Sequence, residues 1–144
     1  MTFYDSKEGV KQYINMAKDY DGRELINNFI PYLDKDSTVL EIGIGPGKEL
    51  DILAESFKVT GSDKSKLFLD LYIEKNSDAD LLELDAVTLD TNRVFDSIYS
   101  NKVLHHIKKR EMVESIYNQA RILTDGGIIF IRFGPVRVAK SMKV

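Results

Sequence analysis

The sequence contains no cysteine and no tryptophan, and only three prolines in 144 residues. Without cysteine there is no disulfide, no thiolate metal site and no cysteine nucleophile. No apolar run approaches the about 18 residues that a membrane-spanning helix needs. The opening stretch, MTFYDSKEGVKQY, holds neither an apolar signal core nor an Arg/Ser-rich transit pattern. An excess of positive charge is also missing: 20 Lys and Arg stand against 23 Asp and Glu, a net charge of −3. Bulk electrostatics therefore give no case for nucleic acid or an anionic membrane as partner. Internal repeats, low-complexity stretches and linkers are absent too. What remains is expected to be a cytoplasmic, soluble chain of single-domain length, with 43% hydrophobic residues to build one core.

The first 36 residues read as a helical segment. In SKEGVKQYINMAKDY, Val10, Tyr13, Ile14 and Ala17 share one helical face, and GRELINNFIPYL follows with Leu25, Ile26, Phe29 and Ile30. Gly22 and Pro31 punctuate them. From residue 37 strand and helix patterns alternate through residue 134. STVLEIG reads as a strand, and PGKELDILAESF as a helix opened by Pro46 that carries Leu50, Leu53 and Ala54 inward. KVTGSD is a strand ending at Asp63, and KLFLDLYIEK a helix burying Leu67, Leu71 and Phe68. ADLLELDA is a strand ending at Asp85, and RVFDSIYSN one ending near Ser100. KREMVESIYNQARIL is a helix with Met112, Val113, Ile116, Tyr117 and Ala120 on its inward side. TDGG closes it, and IIFIRF is a buried strand. Such alternation predicts an α/β fold: a doubly wound parallel sheet of about five strands with helices on both faces.

Ligands of such sheets sit at the carboxyl ends of the strands. That edge collects the conspicuous polar residues: the loop EIGIGPG with Gly43, Gly45 and Gly47, then Asp63, Asp85, and the pair Ser100–Asn101. Three glycines in five positions imply a backbone that turns sharply or is closely approached. The loop is not a phosphate-binding P-loop, because Ile42 stands at the first glycine position and Glu49 at the Ser/Thr position. Nor does it fit a dinucleotide fingerprint, although Asp63 lies at the distance of a ribose-binding acid. The spacing is G-x-G-x-G, and Glu41 would place negative charge beside a pyrophosphate. Beside a cationic nucleoside the same charge is favourable.

From about Val39 to Phe133 the chain resembles the class I S-adenosylmethionine-dependent methyltransferases, particularly their small-molecule type. The likeness rests on four motifs in order: the E-x-G-x-G-x-G loop, VTGSD, LLELDA, and FDSIYSNKVLHHI leading to ARILTDGGIIFI. It implies strand order 3-2-1-4-5 in a Rossmann-like sheet, with S-adenosylmethionine as cofactor. It further implies that Gly43, Gly45 and Gly47 let the backbone pass the methionine part of that cofactor, with Glu41 near its ammonium group. Asp63 is expected to accept both ribose hydroxyls, and Asp85, with the backbone of Ala86, to meet the adenine amino group. Ser100 or Asn101 falls beside the methionine portion, and Tyr4 or Tyr13 is a candidate cover. His105 and His106, the only histidines, are the candidate general bases for a small-molecule acceptor.

Plainer roles stand beside these. The glycines could form merely a tight turn, Asp63 and Asp85 could be helix caps or solvated loop ends, and the histidines could be packing or capping groups. The charged IKKRE stretch reads as a solvated helix start. The resemblance also leads one to expect a further helix and an antiparallel hairpin after the fifth strand, whereas only VRVAKSMKV follows IIFIRFGP. The expectation is therefore a trimmed fold or a piece of a longer one. Its fifth strand would lie at an open edge suited to a homo-oligomer or a partner subunit. The leading function is a methyltransferase. The alternative is a catalytically silent S-adenosylmethionine-binding subunit or sensor working through a partner.

Overall fold

The computed structural model describes residues 6–10 and 22–133. Residues 7–10 are helical, with Val10 buried. Most of the helix expected from Ser6 onward, together with Tyr4 and Tyr13, lies outside the described residues. Helix α1 (Arg23–Phe29) starts at Gly22, whose φ of 72° is one that glycine adopts without strain. Pro31 sits in the 3-10 turn Ile30–Tyr32 that ends this segment.

Five strands and three further helices then alternate: β1 (Thr38–Ile42), α2 (Lys48–Leu53), β2 (Lys58–Asp63), α3 (Lys66–Lys75), β3 (Leu81–Glu83), β4 (Phe95–Asn101), α4 (Lys109–Arg121) and β5 (Leu123–Arg132). All pairs are parallel and the sheet order is β3-β2-β1-β4-β5, as the alternation and the resemblance imply. The order reverses between β1 and β4, which opens a crevice at their carboxyl ends. At the opposite, amino edge, the Asp96 carboxylate accepts from the Thr38 amide (2.9 Å), the Thr38 hydroxyl (3.1 Å) and the Thr124 hydroxyl (3.1 Å). One side chain thereby ties β1, β4 and β5.

The sheet's two faces are covered differently. On one, Ile26 and Phe29 of α1 meet Ile52 and Leu53 of α2, with Val39, Phe57 and Tyr99. Phe29 has ring contacts with Phe57, Tyr99 and Phe130 at centroid distances of 5.9, 5.5 and 5.1 Å. On the other, Leu40, Ile42, Phe95 and Ile98 are covered by Leu84 and Leu89 of the loop after β3 and by Ile122. Helix α4 itself contributes no residue to that apolar cluster.

Several expectations are corrected here. Ala54 is exposed and Ile52 takes its place inside α2. In α3 the buried residues are Phe68, Leu69 and Tyr72, while Leu67 and Leu71 are half-buried, because the helix packs one position further round. Strand β3 ends at Glu83, leaving Asp85 in the loop beyond it. TDGG does not close α4, which ends at Arg121. It forms an irregularity inside β5, where the register shifts between Phe95 and Ser97 and Gly126 takes φ 78°. The residues Ile128–Ile131 are half-buried, as suits the outermost strand of the sheet. The largest correction concerns α4. Val113, Ile116 and Tyr117 are 58%, 40% and 79% exposed, Ala120 is exposed, and the buried residues are Ser115 and Gln119.

Candidate functional site

The glycine loop leaves β1 and folds over the end of β2. The amides of Gly43 and Ile44 both donate to the Ser62 carbonyl, at 2.8 and 3.0 Å. Gly43 has φ 73°, and a Cβ there would meet Val103 Cγ2 at 2.7 Å. Gly47 has φ 89° and forms the N-terminal boundary of α2; a Cβ on it would press into the Tyr72 ring. Both positions thus combine left-handed backbone with a close neighbour, which only glycine satisfies.

A cavity of about 180 Å³ opens beside this loop at the crevice between β1 and β4. Gly43, Gly45, Asp63, Asp85, Ala86, Asn101 and His106 line it, so seven sequence-predicted residues from four separate segments share one space. Its apolar walls include Phe68, Leu84, Val87 and Ile107, and Lys64 and Lys102 also reach it. Apolar walls with the carboxylates of Asp63 and Asp85 among them suit a ligand that combines an apolar ring with polar groups.

Asp63 is buried at the end of β2. Its Oδ2 accepts from the Gly45 amide at 3.0 Å and its Oδ1 from the Ser65 amide at 2.9 Å. Each carboxylate oxygen has a second lone-pair direction, so two ligand hydroxyls remain compatible with this arrangement. Burial pushes the Asp63 carboxyl above its usual range, against the two amides and the neighbouring Lys64. Asp85 directs Oδ1 at its own loop, accepting from the amides of Val87 (2.7 Å) and Thr88 (3.2 Å). Residues 86–88 form a turn rather than a helix, so Asp85 closes a turn instead of capping a helix, and Oδ2 accepts no hydrogen bond among the described residues.

Glu41, Gly47, Ser100 and His105 do not line the cavity. Glu41 points into the α2 side of the sheet, 2% exposed, and its Oε1 has no hydrogen-bond partner among the described residues. Burial first, then Glu49, Asp63 and Asp51, push its carboxyl well above the usual range. Glu49, half-buried in α2, accepts from the Tyr99 hydroxyl and from Asn101 Nδ2 (2.9 Å), while Tyr72 donates to Asp51 at 2.6 Å. Ser100 Oγ is buried and unpartnered among the described residues. A cationic group reaching this corner meets the acidic side chains of Glu41, Glu49 and Asp51. His105 and His106 lie in a 3-10 turn (Leu104–His106) after β4, their rings 3.8 Å apart. Burial, His105 and Lys64 hold the His106 imidazole below its usual range, so it is neutral near pH 7.

The model of the methyltransferase domain family matches residues 39–127, more than half of the chain. The chain belongs to that family. No curated protein matches significantly. Solved structures of the same fold include the sugar N-methyltransferase from a Streptoalloteichus species, with TM-score 0.73 and 19% identity over 84% of this chain and 52% of that one. An amino pentose methyltransferase from Micromonospora echinaspora, solved with S-adenosylmethionine bound, gives 0.71 and 19% over 87% and 53%. An S-adenosylmethionine-dependent methyltransferase from Clostridium acetobutylicum gives 0.68 and 20% over 82% and 56%. The likeness at such identities is one of fold, and the chain spans about half the length of these structures. The sheet order and the family model place this methyltransferase domain in class I.

Sequence reasoning missed Lys64, Phe68, Lys102 and Glu49 as members of the site. Lys64 and Lys102 directly follow residues that it did find, Asp63 and Asn101, so the strand ends themselves marked them. Lys102 takes φ 60°, uncommon for a non-glycine residue, where its amide donates to the Arg132 carbonyl at 2.7 Å. Glu49 carried no such signal, because its partners Tyr99 and Asn101 are distant in sequence.

Proposed function

We propose that this domain binds S-adenosylmethionine in the cavity at the β1–β4 crevice and transfers its methyl group to a small-molecule acceptor. The observation that carries the reading is the convergence of Gly43, Gly45, Asp63, Asp85 and Asn101 on one cavity at the topological switch point of the sheet. Asp63 would hold the ribose hydroxyls, Asp85 and the Ala86 backbone the adenine edge, and Phe68 and Val87 its faces. The glycine loop and Asn101 would pass along the amino-acid portion, with Glu49 beside its ammonium and Glu41 an enclosed carboxyl that the arriving cation would help to ionise. Glu41 Oε1 and Ser100 Oγ, buried behind the cavity wall and without a hydrogen-bond partner among the described residues, are polar atoms that such a ligand could serve. When bound, the cofactor supplies a methyl group on a sulfonium, already a good leaving group.

The chain's own residues then have two tasks. The loop and the apolar walls orient the acceptor and exclude water. His106, neutral near pH 7 and on the cavity wall, accepts the proton that an amine or hydroxyl acceptor releases; His105 stands behind it, off the wall. The solved relatives named for sugar and amino pentose methylation make amino sugars the first acceptors to try.

The test is turnover: the domain is incubated with methyl-deuterated S-adenosylmethionine and a panel of amino sugars and small amines, and S-adenosylhomocysteine is quantified by mass spectrometry. Acceptor-dependent product formation is expected. With an acceptor in hand, kcat/KM should rise through an apparent pKa below the usual imidazole range, and His106→Gln should remove that limb. Cofactor binding without turnover on any acceptor would instead favour the silent subunit working through a partner.

A further inference from the structure

The inward face of α4 is polar, and most of its side-chain hydrogen bonds reach one short stretch of backbone. Ser115 Oγ donates to the Ala86 carbonyl at 2.6 Å, and Asn118 Nδ2 to the Val87 carbonyl at 2.8 Å. Arg121 donates to the carbonyls of Thr88 (3.4 Å), Leu89 (2.8 Å) and Thr91 (3.2 Å). Gln119 Nε2 in turn donates to Ser115 Oγ at 3.2 Å. The amides of the same peptide units are taken from the other side by Asp85. Its Oδ1 accepts from Val87 and Thr88, and its own carbonyl accepts from Leu89 at 3.0 Å. Three successive peptide units are thus held at both ends, each carbonyl by α4 and each amide by Asp85.

We infer that Ser115, Asn118 and Arg121 are positioning residues that set the orientation of the Asp85 carboxylate, and so determine which nucleobase the domain accepts. With Oδ1 committed to two amides of a clamped loop, Oδ2 is left in a fixed direction beside the cavity that Asp85, Ala86 and Val87 line. A carboxylate oxygen so fixed accepts from an exocyclic amino group and repels a carbonyl in its place. A site built around one hydrogen bond discriminates most strongly against the ligand that cannot make it. Leu89, buried with φ 44°, shows that the loop holds a conformation a free chain would leave. None of the three residues on α4 lines the cavity, so none touches the ligand. The inference rests on the cofactor reading above.

The experiment compares two ligands that differ at one position: S-adenosylhomocysteine, with a 6-amino group, and S-inosylhomocysteine, with a 6-oxo group. Wild-type protein should prefer the amino ligand. Asn118→Ala and Arg121→Ala should each reduce the ratio of the two dissociation constants by about fivefold, the scale of one hydrogen bond. Arg121→Lys, which keeps a donor for the Leu89 carbonyl, should restore most of it. Tyr117→Ser, on the opposite face of α4, should leave the ratio unchanged. Arg121 and Asn118 are not core residues, so both variants are expected to fold, and matching circular dichroism spectra would confirm it. Equal weakening of both ligands, or no change in the ratio, overturns the inference while the cofactor reading stands. A wild-type protein that binds neither ligand overturns both.

Discussion

The two sides of the sheet solve the same burial problem in opposite ways. On the α1–α2 side, helices place apolar side chains directly on the strands, and Phe29 joins Phe57, Tyr99 and Phe130 in one aromatic cluster. On the α4 side the loop from Leu84 to Thr91 lies between helix and sheet. Leu84 and Leu89 cover the strands, and the loop's backbone polar groups are left facing the helix. Buried carbonyls need donors, so the face that α4 turns inward is polar and its apolar residues point outward. A helix reads as amphipathic toward whatever it packs on. When that is backbone rather than an apolar layer, the usual sense is inverted.

Four substitutions test the contrast between the two sides. The largest effect is expected for Phe29→Ala, which opens a cavity in the apolar side and should cost about 3–5 kcal/mol of unfolding free energy in urea titration. Ser115→Ala removes a single oxygen on the other side. It strands the half-buried Ala86 carbonyl and should cost about 1–3 kcal/mol, far more than the lost atom alone suggests. If it is neutral, the polar face is not what holds α4.

Glu41→Gln probes the carboxylate enclosed on the apolar side. A carboxyl whose folded-state pKa is raised binds its proton more tightly folded than unfolded. As pH climbs past the ordinary value of 4.5 the unfolded chain ionises first, so stability falls until the folded-state pKa is passed. The Gln variant escapes that fall, and its melting temperature should exceed that of wild type by more at pH 8 than at pH 5. An offset equal at both pH values would count against a raised Glu41. The smallest effect is expected for Tyr117→Ser on the outward face of α4, within about 0.5 kcal/mol. A large loss there would restore the inward stripe that periodicity suggests.

Much of this was legible in the sequence, for a physical reason. Alternating strand and helix patterns force a parallel sheet, and its carboxyl edge gathers strand ends however the helices pack. Gly43, Asp63, Asp85 and Asn101 could therefore be assigned to one site before any coordinate was known. The inward faces of α3 and α4 were less accessible. In KLFLDLYIEK six apolar residues crowd the ten positions of the helix, so periodicity alone does not choose between Leu67–Leu71 and Phe68–Tyr72. In KREMVESIYNQAR the apolar period is clear, but it reports the solvent side. The signal that could have corrected it is the other stripe, Ser115, Asn118 and Gln119, three short polar side chains at helical spacing. The Glu49 partnership with Tyr99 and Asn101 left no trace at all, since it joins positions about 50 residues apart.

The central claim is that Asp63 and its neighbours hold S-adenosylmethionine. Calorimetric titration of wild type and Asp63→Ala with S-adenosylhomocysteine tests it most directly. The wild type should bind, and the variant should bind about tenfold or more weakly, as loss of a buried charged acceptor requires. Absence of binding to wild type, or equal affinity for both proteins, would contradict it.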